Sequence, residues 1–378
     1  MIPLPDGPLR GLRVLDFSTL LPGPLATAVL AEAGAFVIKV ERPGGDELRQ
    51  VSPVDFAMLN AGKVGVVADL KRPEEVDLVR GLADRADVLV EQFRPGVMAR
   101  LGLGYDDLAR RNPGLVYCSV TGYGSSGARA SIAGHDLNYV AATGLLCLVA
   151  DPAGGPVLPP TLIADIAGGS YPAVINILLA LAGRTVSGRG ARLDVAMTDN
   201  VWPLQYWMLA GALRGESPRP GKERLTGGSP RYQIYPTADG RLVAAAPLEQ
   251  RFWEVFCDLV GLVGVDRDDR VDPIATIGLV RALVAARDSG YWAGRFAGVD
   301  CCCSVVATVA EAVADPAFAE RGVLGVVDDG SGPRPVMPLP VDQGLRTGRT
   351  AGTAPTLGGT ALAEARWPAT REGTATAE

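Results

Sequence analysis

Residues 133–139 read AGHDLNY, and His135 is the only histidine in a chain of 378 residues. Imidazole has an ordinary pKa of about 6.5, so one histidine can take or give a proton near neutral pH. Gly122, Gly124, Gly127 and Gly134 crowd the same stretch, and glycine lets a backbone approach a ligand closely. Asp136 follows directly. Thirty residues beyond the histidine, Asp165 enters the apolar run IAGGSYPAVINILLALAG at 166–183. Two readings of Asp165 stand side by side. It is an N-cap serving the free N–H groups of a helix start. Or it is a partly desolvated carboxyl whose pKa rises while the helix dipole favours its anion. His135 likewise is either a histidine satisfied by a neighbour or a proton carrier.

A second group is cationic. Arg42 in VERPGGDE, Arg94 in FRPGV and Arg100 in MARLGLGY each follow an expected strand end or its loop. Guanidinium donates in a fork that suits phosphate, so the shared placement points to an anion with several phosphates; the alternative is solvated surface charge. Lys63 and Lys71, flanking VGVVADL, extend the group. Glu249, in AAPLEQRFW, reads plainly as an exposed carboxylate at a helix start. The run Cys301–Cys303 reads as buried strand packing, because no metal-ligand spacing accompanies it. No metal site is expected.

These residues need elements to hold them. β-rich runs at 12–18, 35–41, 64–70, 87–93 and 115–124 alternate with helical runs at 24–34 and 73–86. That alternation implies βαβ units and a parallel sheet, with ligands beyond the carboxyl ends of the strands. LLPGPLA stands where a GxGxxG would, which weakens a dinucleotide reading, and no Walker loop is present. Residues 165–183 read as a long helix, 183–200 as a turn and a short strand or helix, and 201–214 as an aromatic helix. A Gly/Pro/Arg-rich linker spans 215–231, and a hairpin turning at Asp239–Gly240 spans 233–247. Helices continue to about 320, and the Ala/Thr/Gly-rich tail after 350 is expected to fray.

The formal charge of −6 argues against a broad nucleic-acid surface. Six cysteines without a CxxC pair predict no disulfide framework and a reducing compartment. The start MIPLPDGPLRG lacks a signal-peptide pattern. The run 166–183 is long enough to span a membrane, but it carries Gly, Ser, Pro and Asn and follows Asp165; it is expected to be a buried helix of a cytoplasmic, soluble protein.

GLRVLDFSTLLPGPLATAVLAEAGAFVIKVERPGGD (11–46), ADLKRPE (68–74), EQFRPGVMARLGLGYDDL (91–108), LVYCSVTGYGSSG (115–127), LTGGSPRYQIYPTADG (225–240) and VATVAEAVADPAFAERG (306–322) together resemble the family III CoA-transferase and α-methylacyl-CoA racemase superfamily. The resemblance covers most of 9–325. It implies an α/β fold: a large Rossmann-like parallel-sheet domain at 1–200, a linker helix and loop at 201–230, a smaller α+β domain at 231–322, and a segment 323–378 returning to the large domain. It implies an interlocked homodimer and an acyl-CoA thioester substrate, with no cofactor beyond the CoA moiety. Arg42, Leu70, Lys71, Gln92, Phe93, Arg94 and Arg100 fall where the family contacts CoA; Ala61 stands where the family often has arginine.

Within the family, transferases use the aspartate matching Asp165 as a nucleophile, and more often carry an aromatic residue where His135 stands. Racemases carry histidine in a setting like Gly134–Asp136, with a supporting carboxylate matching Glu249. The resemblance therefore implies an epimerase of 2-methylacyl-CoA or a related α-branched acyl-CoA. His135 and Asp165 would exchange protons on opposite faces of one carbon, with Asp136 and Glu249 beside them. A CoA-transferase using Asp165 covalently is the alternative, and an acyl-CoA binding protein without activity is a third reading. The segment 147–160 is expected to line the acyl pocket.

Overall fold

β1 (Arg13–Asp16) lies at the centre of a six-stranded sheet in the computed structural model, which describes residues 7–151, 155, 157–216, 218–328, 333–336, 338–348 and 352–368. The other strands are β2 (Phe36–Glu41), β3 (Val64–Val67), β4 (Val88–Glu91), β5 (Val116–Thr121) and β6 (Ala191–Ala196). Their order is β3-β2-β1-β4-β5-β6 and every pairing is parallel. This is the doubly wound order, whose direction reverses between β1 and β4 and leaves a crevice there at the carboxyl ends. The chain divides into two compact units: Met1–Thr143, Thr161–Leu204 and Ala317–Glu378 form one, and Gly144–Pro160 with Gln205–Pro316 form the other.

Local sequence explains the elements of the first unit. β2, FVIKVE, is buried throughout, as a central strand covered on both faces must be. Helix α1 (Pro22–Glu32) opens with proline, where the missing N–H costs nothing, and all its residues are buried. The short α2 (Leu48–Val51) and α3 (Pro53–Asn60) lead into β3. Helix α4 (Pro73–Ala83) is amphipathic: Val76, Val79, Leu82 and Ala83 face the core, and Glu74 and Glu75 complement its amino-terminal dipole. The short α5 (Val97–Arg100) and α6 (Tyr105–Arg111) connect β4 to β5, and α7 (Asp136–Ala142) follows β5. Trp367 joins this core: its ring meets Phe36 edge-on with centroids 6.1 Å apart, and its Nε1 donates to the Leu82 carbonyl at 3.0 Å.

The β1–α1 turn is held by buried charge and closes on Gly23, where a Cβ would lie 2.2 Å from the Ser18 Cβ. Lys63 Nζ lies 3.2 Å from Asp16 Oδ2 and Lys39 Nζ 3.2 Å from Asp46 Oδ2, all four side chains fully buried. Asp16 also accepts from Thr27 Oγ1 (2.6 Å) and from the Ser18 backbone (2.9 Å) and hydroxyl. Lys63 donates in addition to Thr27, Asn60 and Pro24, and Lys39 to the Ser18 carbonyl. Burial pushes the Asp16 carboxyl upward, but Lys63, Lys39 and the two hydroxyls outweigh it and hold it below the usual aspartate range. Lys63 is thus committed to Asp16, which removes it from the cation group expected to meet phosphate.

The second unit is built on an antiparallel sheet of β7 (Gln233–Pro236), β8 (Leu242–Ala245) and β9 (Cys303–Val305). The β7–β8 turn uses Gly240 at φ +79°, as the Asp–Gly pair predicted. Tyr235, Trp253, Phe256 and Trp292 form its core. The cysteine run is not buried strand throughout: Cys301 is buried, Cys302 is exposed at φ +53°, and only Cys303 enters β9. All six cysteines are free.

The long apolar helix corrects another expectation. It runs from Ala164 to Ser187 and is long and apolar enough to cross a membrane, yet only 28% of its most apolar window is buried within the chain. Its α-helical part, α8 (Tyr171–Ser187), buries Ala173 and Ile177 and leaves Ile175, Leu179 and Val186 exposed. The last strand β6 and the short α9 (Met197–Val201) follow it.

Removing one partner of a buried pair strands the other charge. Lys63→Met is expected to lower stability by about 3–5 kcal/mol in urea unfolding. Adding Asp16→Asn to it should cost less than the two single losses summed, because the second substitution removes the stranded charge.

Candidate active site

The crevice at the switch point holds a cleft of about 490 Å³. Its walls come from the turn after β1 (Thr19, Leu20, Pro22), the loop after β4 (Gln92, Phe93, Arg94), the end of β5, the segment 130–135, and Tyr139, Asp165 and Met197. His135 and Asp165 therefore face one cavity, although 30 residues separate them. Leu20 sits at φ +59°, a left-handed conformation that a leucine adopts only when held. The holder is Asp46, whose carboxylate accepts the Leu20 N–H at 3.2 Å and is itself paired with Lys39.

His135 is exposed and extended, immediately before α7, with its N–H donating to Asn138 Oδ1 at 3.0 Å. Asp136 does not line the cleft. It is buried, and its Oδ1 accepts the backbone N–H of Asp165 at 2.9 Å. Asp165 is not a helix N-cap either. Ile163 holds that position, and Asp165 is the second residue of a seven-residue π-helix, Ala164–Ser170. The glycines of AGGS explain why this turn fits: a Cβ on Gly168 would lie 2.6 Å from the Met197 carbonyl oxygen, and one on Gly169 about 3.2 Å from Pro22 and the Met197 sulfur. Ser170 Oγ donates to the Pro22 carbonyl at 2.8 Å and to that of Asp165 at 3.1 Å. π-turns of this kind recur at functional sites.

The charge balance at Asp165 follows from this setting. Burial comes first and the Asp136 carboxylate second; together they push Asp165 from 3.8 up to about 6, against the opposing pull of His135. Desolvation thus decides the question that the sequence left open. Tyr139, nearby, is pushed up to about 12 by burial and by Asp165, so it stays a neutral phenol.

The residues expected at CoA divide into two sets. Gln92, Phe93 and Arg94 line the cleft. Gln92 Oε1 caps the first turn of α1 by accepting the Gly23 N–H at 2.9 Å, and the Phe93 N–H donates to buried Glu91 at 2.7 Å. Arg42, Leu70, Lys71 and Arg100 do not line it. Arg42 is exposed and paired with Glu47 at 2.9 Å; Leu70 packs on the core; Lys71 and Arg100 are exposed. Ala61 is buried at the C-terminal cap of α3. Glu249 belongs to the second unit, exposed at the N-cap of the helix Gln250–Val260. The segment 147–160 also belongs there, and its residues 152–154 and 156 lie outside those described. Leu20, Tyr139 and Met197 were not expected at the site. Tyr139 carries a readable signal, four residues after His135 on one helix face; Met197 follows β6 and carries none.

The profile of CoA-transferase family III matches residues 9–360. The chain belongs to this family. Among family relatives, it is 36% identical to the alpha-methylacyl-CoA racemase of Homo sapiens over 319 residues, covering 83% of this chain and 81% of that protein. It is also 36% identical to the succinate–glutarate CoA-transferase of Agrobacterium fabrum over 285 residues, covering 70% and 69%. A crystal structure of Rv3272 from M. tuberculosis superposes with a TM-score of 0.83 at 32% identity, covering 94% of this chain and 98% of that one. The chain is thus an enzyme of the family III CoA-transferase and racemase superfamily, and its α/β fold is that of the family.

Because Asp165 binds its proton more tightly folded than unfolded, it contributes stability below about pH 4 that is lost as pH rises through its folded value of about 6. Asp165→Asn is therefore expected to melt above the parent near pH 8 and to match it near pH 4, in thermal unfolding followed by circular dichroism.

Proposed function

We propose that this enzyme interconverts the 2R and 2S epimers of a 2-methylacyl-CoA or a related α-branched acyl-CoA. The observation that carries the reading is the shared cleft of His135 and Asp165, one an imidazole and the other a carboxyl with raised pKa. Epimerisation removes the proton next to the thioester carbonyl and returns one to the opposite face. In one direction neutral His135 takes the α-proton, the C–H electron pair moves into the thioester as an enolate, and protonated Asp165 delivers its proton to the other face. The pair ends as imidazolium and carboxylate, which is the starting state for the reverse direction. Each positioned acid or base contributes about 10²–10⁴-fold. Pre-placed backbone N–H groups would stabilise the enolate oxygen.

In this reading Gln92, Phe93 and Arg94 hold the CoA portion at the cleft, and Arg42, Leu70, Lys71 and Arg100 serve its outer parts. No cofactor beyond CoA is needed. The uncovered apolar face of α8 supports a homodimer of the interlocked kind, in which a second copy covers that face; Glu249 would support His135 in that assembly. Free thiols throughout support a cytoplasmic protein.

A family III CoA-transferase is the second reading, supported by the transferase relatives at equal identity. There the Asp165 carboxylate attacks the thioester carbonyl and expels CoA as thiolate. The two readings separate in D₂O with a 2-methylacyl-CoA. Deuterium entering the α-position, and falling by about 10²-fold or more in His135→Ala, is the racemase outcome. Inactivation by hydroxylamine only when acyl-CoA is present, without α-exchange, is the transferase outcome and overturns the first reading.

A further inference from the structure

One turn of α7 touches both members of the proton-transfer pair through residues that are not part of it. Asp136 is 5% exposed, and its Oδ1 accepts the Asp165 N–H at 2.9 Å. A buried carboxylate is costly unless hydrogen-bonded, and this bond spends it on the backbone of the second proton carrier. Three residues along, Tyr139 is 7% exposed, and its hydroxyl donates to the carbonyl of Gly134, the peptide that precedes His135. With its proton on that carbonyl, the phenol has none to offer a substrate oxygen in this arrangement.

The ring of Tyr139 is equally committed. A Cβ on Gly122 would lie 2.4 Å from Tyr139 Cε1, and one on Gly134 2.8 Å from the same atom. The ring thus lies against bare backbone at the end of β5 and at the histidine turn. Tyr123 closes its other side, edge-on, with ring centroids 5.1 Å apart. Two of the glycines around His135 are therefore explained by a ring and not by a ligand.

We propose that Asp136 and Tyr139 are positioning residues that together set the separation of His135 and Asp165 across the cleft. The claim rests on the epimerase reading for its chemistry and on the structure alone for its geometry. A displacement of about 1 Å at such a site can cost about 10²-fold in rate. Asp136 acts through the Asp165 backbone and Tyr139 through that of His135, so the loss belongs in kcat and not in the binding of CoA. The ionisable groups facing Asp165 are Asp136, His135 and Tyr139.

The test uses the full chain in three variants. In Asp136→Ala, hydrogen exchange at the Asp165 amide is expected to speed up by about tenfold or more. Its kcat for α-proton exchange should fall by about tenfold or more, with KM for the acyl-CoA within about twofold. Asp136→Asn keeps the acceptor and loses the charge: amide protection and most of kcat should return, and the acidic limb of the kcat–pH profile should move to lower pH. Tyr139→Phe keeps the ring and loses the hydroxyl, and its kcat should fall at unchanged KM. Unchanged protection of Asp165 in Asp136→Ala, or parental kcat in Tyr139→Phe, overturns the proposal. So does a matched loss of kcat, KM and melting temperature in all three, which marks general packing. If the parent exchanges no α-proton, the epimerase reading fails on its own; amide exchange and the rate of acyl transfer to Asp165 then decide the positioning claim.

Discussion

Four fully buried charges, Asp16, Lys39, Asp46 and Lys63, hold the place where a glycine-rich loop sits in dinucleotide-binding relatives of this topology. A phosphate-cradling turn needs glycine so that ligand can approach backbone. Here the turn after β1 is fixed from inside, by Asp16 on Ser18 and by Asp46 on Leu20. Breaking either ion pair would release a wall of the cleft. The cost of burying these ions is offset by their hydrogen bonds with Ser18, Leu20, Pro24, Thr27 and Asn60, which is the condition under which such pairs persist. The loop after β1 that walls the cleft is thus held from the buried side by these charges.

Much of this was legible in the sequence. The alternation of β-branched and helical runs located all five leading strands, because a parallel sheet buried on both faces leaves strands with no polar alternation to blur them. His135 and Asp165 stood out by residue type, the family resemblance paired them, and the structure places both on one cleft. What failed was reading the partner of each charge. Lys63 and Arg94 look alike in the sequence, each beside a strand end, yet one is locked against Asp16 and the other lines the cleft. A charge that pairs across 47 residues leaves no local mark. Asp165 shows the same limit: its neighbour Asp136 is 29 positions away, so the sequence could not decide between a raised and a lowered pKa, and the π-helical setting left no mark.

The apolar helix after Asp165 was misjudged for a related reason. Sequence reports how apolar a segment is, not what covers it. α8 has the composition of a core helix but spends most of its apolar surface outside its own chain. Under the homodimer proposed above, that face is covered by assembly rather than by folding.

The seven-residue turn at Asp165 has one more consequence. A π-turn closes each hydrogen bond around one residue more than an α-turn does. Successive residues of a regular helix are rotated by about 100° around its axis. Deleting a single residue between Asp165 and α8 would let the segment rewind as ordinary helix and swing the carboxyl about a quarter-turn away from the cavity, with composition and hydropathy almost unaltered. The length of this segment therefore aims the carboxyl, as its glycines let the turn pack.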